Sequence, residues 1–467
     1  MDFAAVILAA GLGKRMKSAT PKMMHKICDK SMLSYVIDAV EALSPKKIIV
    51  VVGQGGETVE SQISDLAEPV YQSEQLGTGH AVKVTRDAFK DYDGQILILS
   101  GDTPLISSDT LKKLIDSRAE SKAAAAILTA RVEDPAGYGR VILSSSLEVK
   151  GIVEERDATP SEREIDLINA GMYCLEKEEL FSALESVSND NDQKEYYLTD
   201  VIKILSDNGK QIVFVEASEV ETKGVNSRIQ LAEAESIIGN RIKMDHMLNG
   251  VTFHLPETSF IGTDVTIEKD TTVFPNSFIN GRTQIGKDCE IGPSVKISDT
   301  KIGDNAIIQS SYINGAVLDD HVAVGPFASL RPGTRIKSGG KAGTFVELKK
   351  STLGKNSKVP HLSYIGDTKI GEHVNIGAGS ITCNYDGVNK WEAVIEDDVF
   401  IGSDTMIISP VRFGAGSMTG AGSVISKDVP SGGLGIERSE QRNIEGWAKK
   451  HRDKATKKHK RGGTGSK

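Results

Sequence analysis

Aromatic residues make up only 5% of this 467-residue chain, and cysteine occurs four times. No apolar run reaches the ~20 residues needed to cross a bilayer, which excludes a membrane-spanning helix, and no membrane insertion is expected. Cys28, Cys174, Cys289 and Cys383 are scattered. They show neither the paired spacing of a metal site nor the density of a disulfide framework, so reduced thiols in a cytoplasmic protein are expected. The opening MDFAAVILAAG runs straight into an apolar strand. It has no basic segment ahead of the apolar run and no small-residue cleavage site, so a secretory leader is not expected.

What is present is an ordinary globular composition, 39% hydrophobic and 26% charged, with 46 glycines. Few aromatics and many glycines suit the tight corners of a β-solenoid. Ile261, Ile267, Val273, Ile279, Ile285, Ile291 and Ile297 fall six apart, and the period resumes at Ile395, Ile401, Ile407, Phe413, Thr419 and Ile425. Six is neither the helical 3.6 nor the alternation of an ordinary strand. It is the hexapeptide period of a parallel β-helix, each short strand placing one aliphatic side chain in a narrow core. The register drops by one residue at Ile302 and Ile308 and restarts at Val324, Leu330 and Ile336. SITCNYDGVNKWEAV, between Ile376 and Ile395, has turn residues and no inward aliphatic period, so it reads as a loop excursion.

The first half follows another grammar. Strands are predicted at 3–8, 47–52, 95–99, 124–129 and 211–215, and helices at 34–43, 79–89 and 109–117. Their alternation implies a mostly parallel sheet with helices on both faces. Ligands of such sheets bind beyond the carboxyl ends of the strands, where AAGLGKRM and SGDTPL lie. Residues 228–247 read as one connecting helix. The domains expected are 1–227, a helical linker 228–249, a β-helix 250–447 and a basic, disordered tail 448–467. The net charge of −8 conceals that tail: residues 441–467 hold ten Lys/Arg against two Asp/Glu. No aromatic residues interleave with the basic run KKHRDKATKKHKR, so a solvated tail is preferred over nucleic-acid binding.

In LAAGLGKRMKSATPK, glycines follow a strand and Arg15 and Lys22 follow the glycines. Glycine lets backbone N–H groups approach phosphate, and the cations supply countercharge. The segment is neither GxGxxG nor GxxxxGK(S/T), and a structural turn explains the bare pattern equally well. With QSEQLGTGHA, GDTPL, GYGR, IVEERD, NAGMY and GVNSR, however, it resembles the sugar-1-phosphate nucleotidyltransferases. Together with the hexapeptides, the resemblance runs from residue 3 to about residue 447. It points to the bifunctional members, which join N-acetylglucosamine-1-phosphate uridylyltransferase to glucosamine-1-phosphate N-acetyltransferase. It implies a Rossmann-like α/β nucleotidyltransferase domain followed by a left-handed parallel β-helix of hexapeptide repeats.

The resemblance implies roles residue by residue. Leu8, Ala9, Ala10 and Gly11 form the nucleotide loop, and Arg15 and Lys22 hold the UTP phosphates. Gln72, Gly77 and Thr78 read uracil. Gly139, Glu154 and Asn169 contact the N-acetylglucosamine moiety. Asp102 and Asn226 ligate Mg²⁺, a hard cation that takes few protein oxygens and keeps phosphate and water. Alone, Asp102 reads as a helix cap or turn residue before Pro104. Ser100 departs from several relatives, which carry Tyr there.

For the second half the resemblance makes His361 the general base for attack by an amine, a role suited to histidine near neutral pH. Alone, His361 reads as a packed, hydrogen-bonded residue. Arg331 and Lys349 would grip the sugar phosphate, Tyr364 and Asn375 the sugar, and Asn384 and Tyr385 the acetyl group and amine. Ala378, Ser403, Ala421 and Arg438 match an acetyl-CoA groove, although IERSEQRN around Arg438 departs from the common pattern. The resemblance also implies UTP and acetyl-CoA as co-substrates and a homotrimer. Two other readings compete: a pyrophosphorylase with a regulatory β-helix, opposed by His361 and CNYDG, and a non-catalytic assembly protein, opposed by Arg15, Lys22, Asp102 and Asn226.

Overall fold

The computed structural model describes residues 2–11, 13–53, 56–63 and 66–462. Leu12 of the glycine-rich loop and residues 463–467 of the basic tail lie outside them. The chain divides into two compact units. One is Met1–Asn249 with Leu255–Val265 and Ile279–Arg282; the other is Gly250–His254, Thr266–Phe278 and Thr283–Lys467.

The first unit is built on a nine-stranded sheet. Across it run Ile212–Glu216, Ala125–Arg131, Leu167–Glu176, Gln95–Ser100, Phe3–Leu8, Ile48–Val52 and Glu68–Tyr71; Arg140–Leu143 and Val149–Val153 lie off that path. Alternation sends Ala4 and Val6 into one apolar core and Phe3, Ala5 and Ile7 into another, one on each face of the sheet. This is the Rossmann-like architecture expected, with one difference in its middle. Leu167–Glu176 runs antiparallel to both neighbours, and its register on Ala125–Arg131 shifts between Asn169 and Tyr173. The shift falls where Gly171 adopts φ +70°. A bulge of this kind re-aims side chains, and here it brings Asn169 and Tyr173 together.

The helix predicted over 79–89 is an α-helix Thr78–Lys83 followed by a 3₁₀ turn Arg86–Phe89. Thr85 Oγ1 donates to the Val82 carbonyl at 2.7 Å and competes with continuation of the helix. The predicted connector forms one helix, Arg228–Leu248, capped by the Ser227 side chain. It belongs to the first unit, where Ala234 and Ile238 pack with Ile27, Cys28, Met32, Leu105 and Val225.

The second unit is a left-handed parallel β-helix. Among the described residues, short strands from Thr252–Phe253 onward stack into three parallel sheets of eleven, ten and nine strands. Most of these strands turn one residue inward: Val273, Ile291 and Ile297 are completely buried. Truncating one of these isoleucines to Ala would cost about 2–5 kcal/mol. The period also continues where the sequence hides it. Ala342 and Thr382 occupy inward positions and are buried. Strand Ile381–Cys383 therefore keeps Thr382 in the core, and the excursion is shorter than expected, resuming the solenoid at Ala393–Ile395. Thr382 was missed because it is polar; its hydroxyl accepts from Gly366 N at 2.7 Å.

The tail differs from the expected coil. Trp447–Gly462 is helical, with residues 447–457 exposed. Its Ala, Lys and Arg residues are strong helix formers, and Trp447 stacks on His451 one turn later, at 4.8 Å between ring centroids. Among the described residues no helix is long and apolar enough to cross a membrane.

Candidate active sites

The first site follows from strand register. Leu8 pairs with Ser100, so the loops that leave these strands emerge side by side, and Gly101 N donates to the Leu8 carbonyl at 2.9 Å. They border a cavity of about 420 Å³ whose lining includes Leu8, Ala10, Gly11, Lys22, Gln72, Gly77, Thr78, Asp102, Glu154 and Asn169. Ala9 is buried behind it. Gly13 has φ +57°, and a Cβ there would stand 2.6 Å from Lys22 Cβ. Only glycine gives both that turn and that approach.

Lys22, 7% exposed, reaches the carboxylate of Asp102 and donates to Asn226 Oδ1 at 2.6 Å. Arg15 donates to the same Asn226 oxygen at 2.8 Å. Four residues separated by as many as 211 positions are thus joined. The donor set of Asp102 and Asn226 is one carboxylate and one amide oxygen, and the Lys22 ammonium already stands against both as a cation would. These residues fit a hard divalent ion. With two protein oxygens offered, the remaining ligands of such an ion would come from substrate and water. Ser100 Oγ donates to the other Asp102 oxygen at 2.6 Å. Serine thus has a defined task at this position.

Gln72, 3% exposed, donates to the Gly77 carbonyl at 3.1 Å and shares a 3.1 Å hydrogen bond with His80 Nδ1. Thr78 Oγ1 accepts from Leu198 N at 3.1 Å. Gly139, Glu154 and Asn169 converge: Asn169 N donates to the Gly139 carbonyl at 2.8 Å, and a Cβ on Gly139 would lie 3.6 Å from Glu154 Oε2. Sequence reasoning missed their supports. Asn169 Nδ2 donates to the Tyr173 hydroxyl at 2.7 Å, and Thr199 Oγ1 donates to Glu154 Oε1 at 3.1 Å. Burial pushes the Glu154 carboxyl above its usual range, against the Thr199 hydrogen bond.

In the solenoid the predicted residues fall into one row and one cluster. His361, Ala378, Ser403 and Ala421 each stand two positions after an inward residue, Val359, Ile376, Ile401 and Thr419, on successive coils of one sheet. Backbone bonds tie the row: Asp404 N donates to the Ala378 carbonyl at 2.7 Å and Gly422 N to the Ser403 carbonyl at 2.8 Å. Arg438 reaches the Ala421 carbonyl at 3.1 Å. His361 heads this row and is exposed rather than packed. Asn375 lies on the same sheet, paired with Lys358 and Phe400.

Lys349 and Tyr364 lie on adjacent strands of the neighbouring sheet, Glu347–Lys349 and Tyr364–Gly366, and Asn384 directly follows the next strand, Ile381–Cys383. Asp367, which sequence reasoning missed, joins two of them: its Oδ2 accepts from Lys349 Nζ at 2.8 Å and from Asn384 Nδ2 at 2.5 Å. The Asp367 hydrogen bond raises the Lys349 pKa. Burial alone would raise the Asp367 carboxyl, but hydrogen bonds from Lys349 and Asn384 outweigh it and hold the carboxyl below its usual range. A Cβ on Gly366 would stand 2.5 Å from Tyr364 Oη and 2.7 Å from Asn384 Nδ2, so both side chains lie across this glycine. Arg331, one coil away, instead pairs with Glu347 at 3.1 Å. Tyr385 is exposed at the start of a hairpin in which Asp386 accepts from Trp391 Nε1 at 2.6 Å.

A nucleotidyl transferase family model matches residues 4–220, and a model of the hexapeptide repeat of succinyl-transferase matches residues 392–427. The chain is 46% identical over 450 residues to the bifunctional protein GlmU of Heliobacterium modesticaldum, covering 96% of this chain and 98% of that protein. It is 48% identical over 443 residues to GlmU of Thermoanaerobacter pseudethanolicus, with 95% and 96% covered. Against GlmU of a Geobacillus species it is 48% identical over 444 residues, with 95% and 97% covered.

Proposed function

The chain belongs to the family of bifunctional GlmU proteins, and from that premise we propose that it makes UDP-N-acetylglucosamine in two steps. The β-helix transfers acetyl from acetyl-CoA to glucosamine 1-phosphate. The Rossmann-like domain then transfers uridylyl from UTP to N-acetylglucosamine 1-phosphate. The product feeds peptidoglycan and other envelope polymers, in a cytoplasm where both co-substrates are made. The observation that carries this reading is a separate cluster of convergent polar groups in each unit: Arg15, Lys22, Asp102 and Asn226 in one, Lys349, Tyr364, Asp367 and Asn384 in the other.

In the acetyl step the substrate amine attacks the thioester carbonyl carbon, the C–S bond breaks, and His361 takes the proton that the amine gives up. Arg331 and Lys349 bind the sugar phosphate, Tyr364 and Asn375 the sugar, and Asn384 and Tyr385 the reacting groups. The corner row of Ala378, Ser403 and Ala421, with Arg438, receives acetyl-CoA. In the uridylyl step a phosphate oxygen of the sugar attacks the α-phosphorus of UTP and pyrophosphate leaves. No protein nucleophile is required, so positioning and charge neutralisation supply the catalysis. Arg15 and Lys22 neutralise the triphosphate on the loop formed by Leu8, Ala9, Ala10 and Gly11. Gln72, Gly77 and Thr78 hold uracil, while Gly139, Glu154 and Asn169 hold the sugar. Asp102 and Asn226 would hold Mg²⁺, which supplies further countercharge to the phosphates.

The protein acts as a homotrimer through its β-helix. One modest inward row leaves the outer faces of a solenoid open for packing, and closed cyclic assembly removes such surface from water. The acetyl site then draws residues from adjoining copies, whereas the uridylyl site lies within one chain.

One mixture tests the reading: pure protein with glucosamine 1-phosphate, acetyl-CoA, UTP and Mg²⁺, alongside light scattering. Free CoA, pyrophosphate, UDP-N-acetylglucosamine and three-chain mass are expected. Pyrophosphate without CoA, when N-acetylglucosamine 1-phosphate is supplied, would leave only a pyrophosphorylase with a non-catalytic solenoid. A monomer with full acetyl transfer would reject the shared site.

A further inference from the structure

We propose that Asp367 is a positioning residue for acetyl transfer, turning the Asn384 amide so that its oxygen faces the incoming amine; this rests on the acetyl-site reading above.

Asp367 Oδ2 accepts both from Lys349 Nζ at 2.8 Å and from Asn384 Nδ2 at 2.5 Å. The Lys349 and Asp367 side chains are only 16% and 12% exposed, so water competes little for these bonds. With its pKa held below the usual carboxylate range, Asp367 is ionised near neutral pH and has no proton to donate. An ionised carboxylate only accepts, so the atom of the Asn384 amide that faces it is the nitrogen. The amide oxygen is then the end left for a ligand, and it is an acceptor.

An acceptor suits a primary amine. During transfer the nitrogen lone pair must point at the thioester carbon while one N–H proton leaves to His361. A fixed oxygen that accepts another N–H stops the amine rotating and keeps the lone pair in line. An amide turned the other way would offer N–H groups and engage that lone pair instead. Because Lys349 and Asn384 share one carboxylate oxygen, the amine acceptor is held beside the phosphate cation. Tyr364 Oη and Asn384 Nδ2 both lie across Gly366, which fixes the room in which the amide can stand.

The test uses full-length protein, with uridylylation of supplied N-acetylglucosamine 1-phosphate as the folding control in every variant. Asp367→Ala should lower the kcat of acetyl transfer about 10²-fold while changing the KM for glucosamine 1-phosphate less than about threefold, because orientation is lost and the phosphate cation remains. Asp367→Asn can keep an acceptor oxygen in place and should retain kcat within about fivefold. Asn384→Asp puts two carboxylates face to face and should fail. The exchange Asn384→Asp with Asp367→Asn restores a donor at 367 and an outward acceptor at 384, and should recover kcat about tenfold or more over Asn384→Asp alone. The proposal is overturned if Asp367→Ala keeps wild-type kcat, if its loss lies entirely in KM, or if the exchange does no better than Asn384→Asp. His361→Ala separates this from failure of the parent reading: wild-type acetyl transfer in that variant removes the assignment of the base, not of Asp367.

Discussion

The two sites of this chain are assembled in opposite ways. In the first unit, residues far apart in sequence meet because strands are adjacent: Leu8 stands beside Ser100, and Arg15 and Lys22 meet Asn226 from more than 200 positions away. In the second, distance along the chain is nearly distance along the solenoid. Lys349 and Asp367 are 18 residues apart, Asp367 and Asn384 17 apart, and each step is one coil. A sheet gathers a site at strand ends, where loops vary freely. A solenoid offers one corner position per coil, and a long cofactor is met by a column of them.

The largest difference expected between the sites is in their need for metal. Chelation with EDTA should abolish pyrophosphate release, because Arg15 and Lys22 alone leave the triphosphate short of countercharge. CoA release should not change, since the proposed acetyl step uses no metal ion. A pyrophosphate assay and a thiol assay on the same chelated sample check this, and equal loss would erase the distinction. A smaller effect, with the sites reversed, is expected from Gly366→Ala. The added methyl meets Tyr364 Oη and Asn384 Nδ2, and displacement of reacting groups by about 1 Å costs about 10²-fold, so acetyl transfer should fall by that order with uridylylation untouched.

The contrast in assembly also explains what the sequence could disclose. The six-residue period was readable at Ile291 and Ile297 because their short strands each have a single inward position. It was not readable at Ala342 and Thr382, where a small or polar residue keeps the place through packing and hydrogen bonding. The strand Leu167–Glu176 was not foreseen, because its antiparallel place in the sheet depends on neighbours distant in sequence. NAGMY and GYGR could be marked by family resemblance, but the bulge that joins Asn169 to Tyr173 could not. Asp367 had a usable signal: a step of one coil from Lys349 arrives beside it. Nothing in the local sequence separates it from the many Asp residues at solenoid corners with positive φ, such as Asp270, Asp398 and Asp404.

The smallest predicted effect concerns stability at the sugar end of the first site. Burial raises the Glu154 pKa above its ordinary value of 4.5, so folding favours the protonated form. The stability this group contributes is full below its unfolded pKa and is lost as pH rises through the higher folded value. Glu154→Gln removes the penalty, so its Tm should exceed wild type at pH 8 and match it at pH 4, while the KM for N-acetylglucosamine 1-phosphate rises. Thermal unfolding at the two pH values checks the sign. A Tm gain at pH 4 alone would show that burial does not govern this carboxyl.

The central claim is that one chain carries two separable chemistries. Its most direct test is simultaneous measurement of CoA and pyrophosphate release by Asp102→Ala and by His361→Ala, each supplied with glucosamine 1-phosphate, N-acetylglucosamine 1-phosphate, acetyl-CoA, UTP and Mg²⁺. The account predicts that Asp102→Ala loses pyrophosphate release and keeps CoA release. It predicts that His361→Ala loses CoA release by about 10²–10⁴-fold, the usual range for a general base, and keeps pyrophosphate release. Two variants that each lose both activities in equal measure would contradict it.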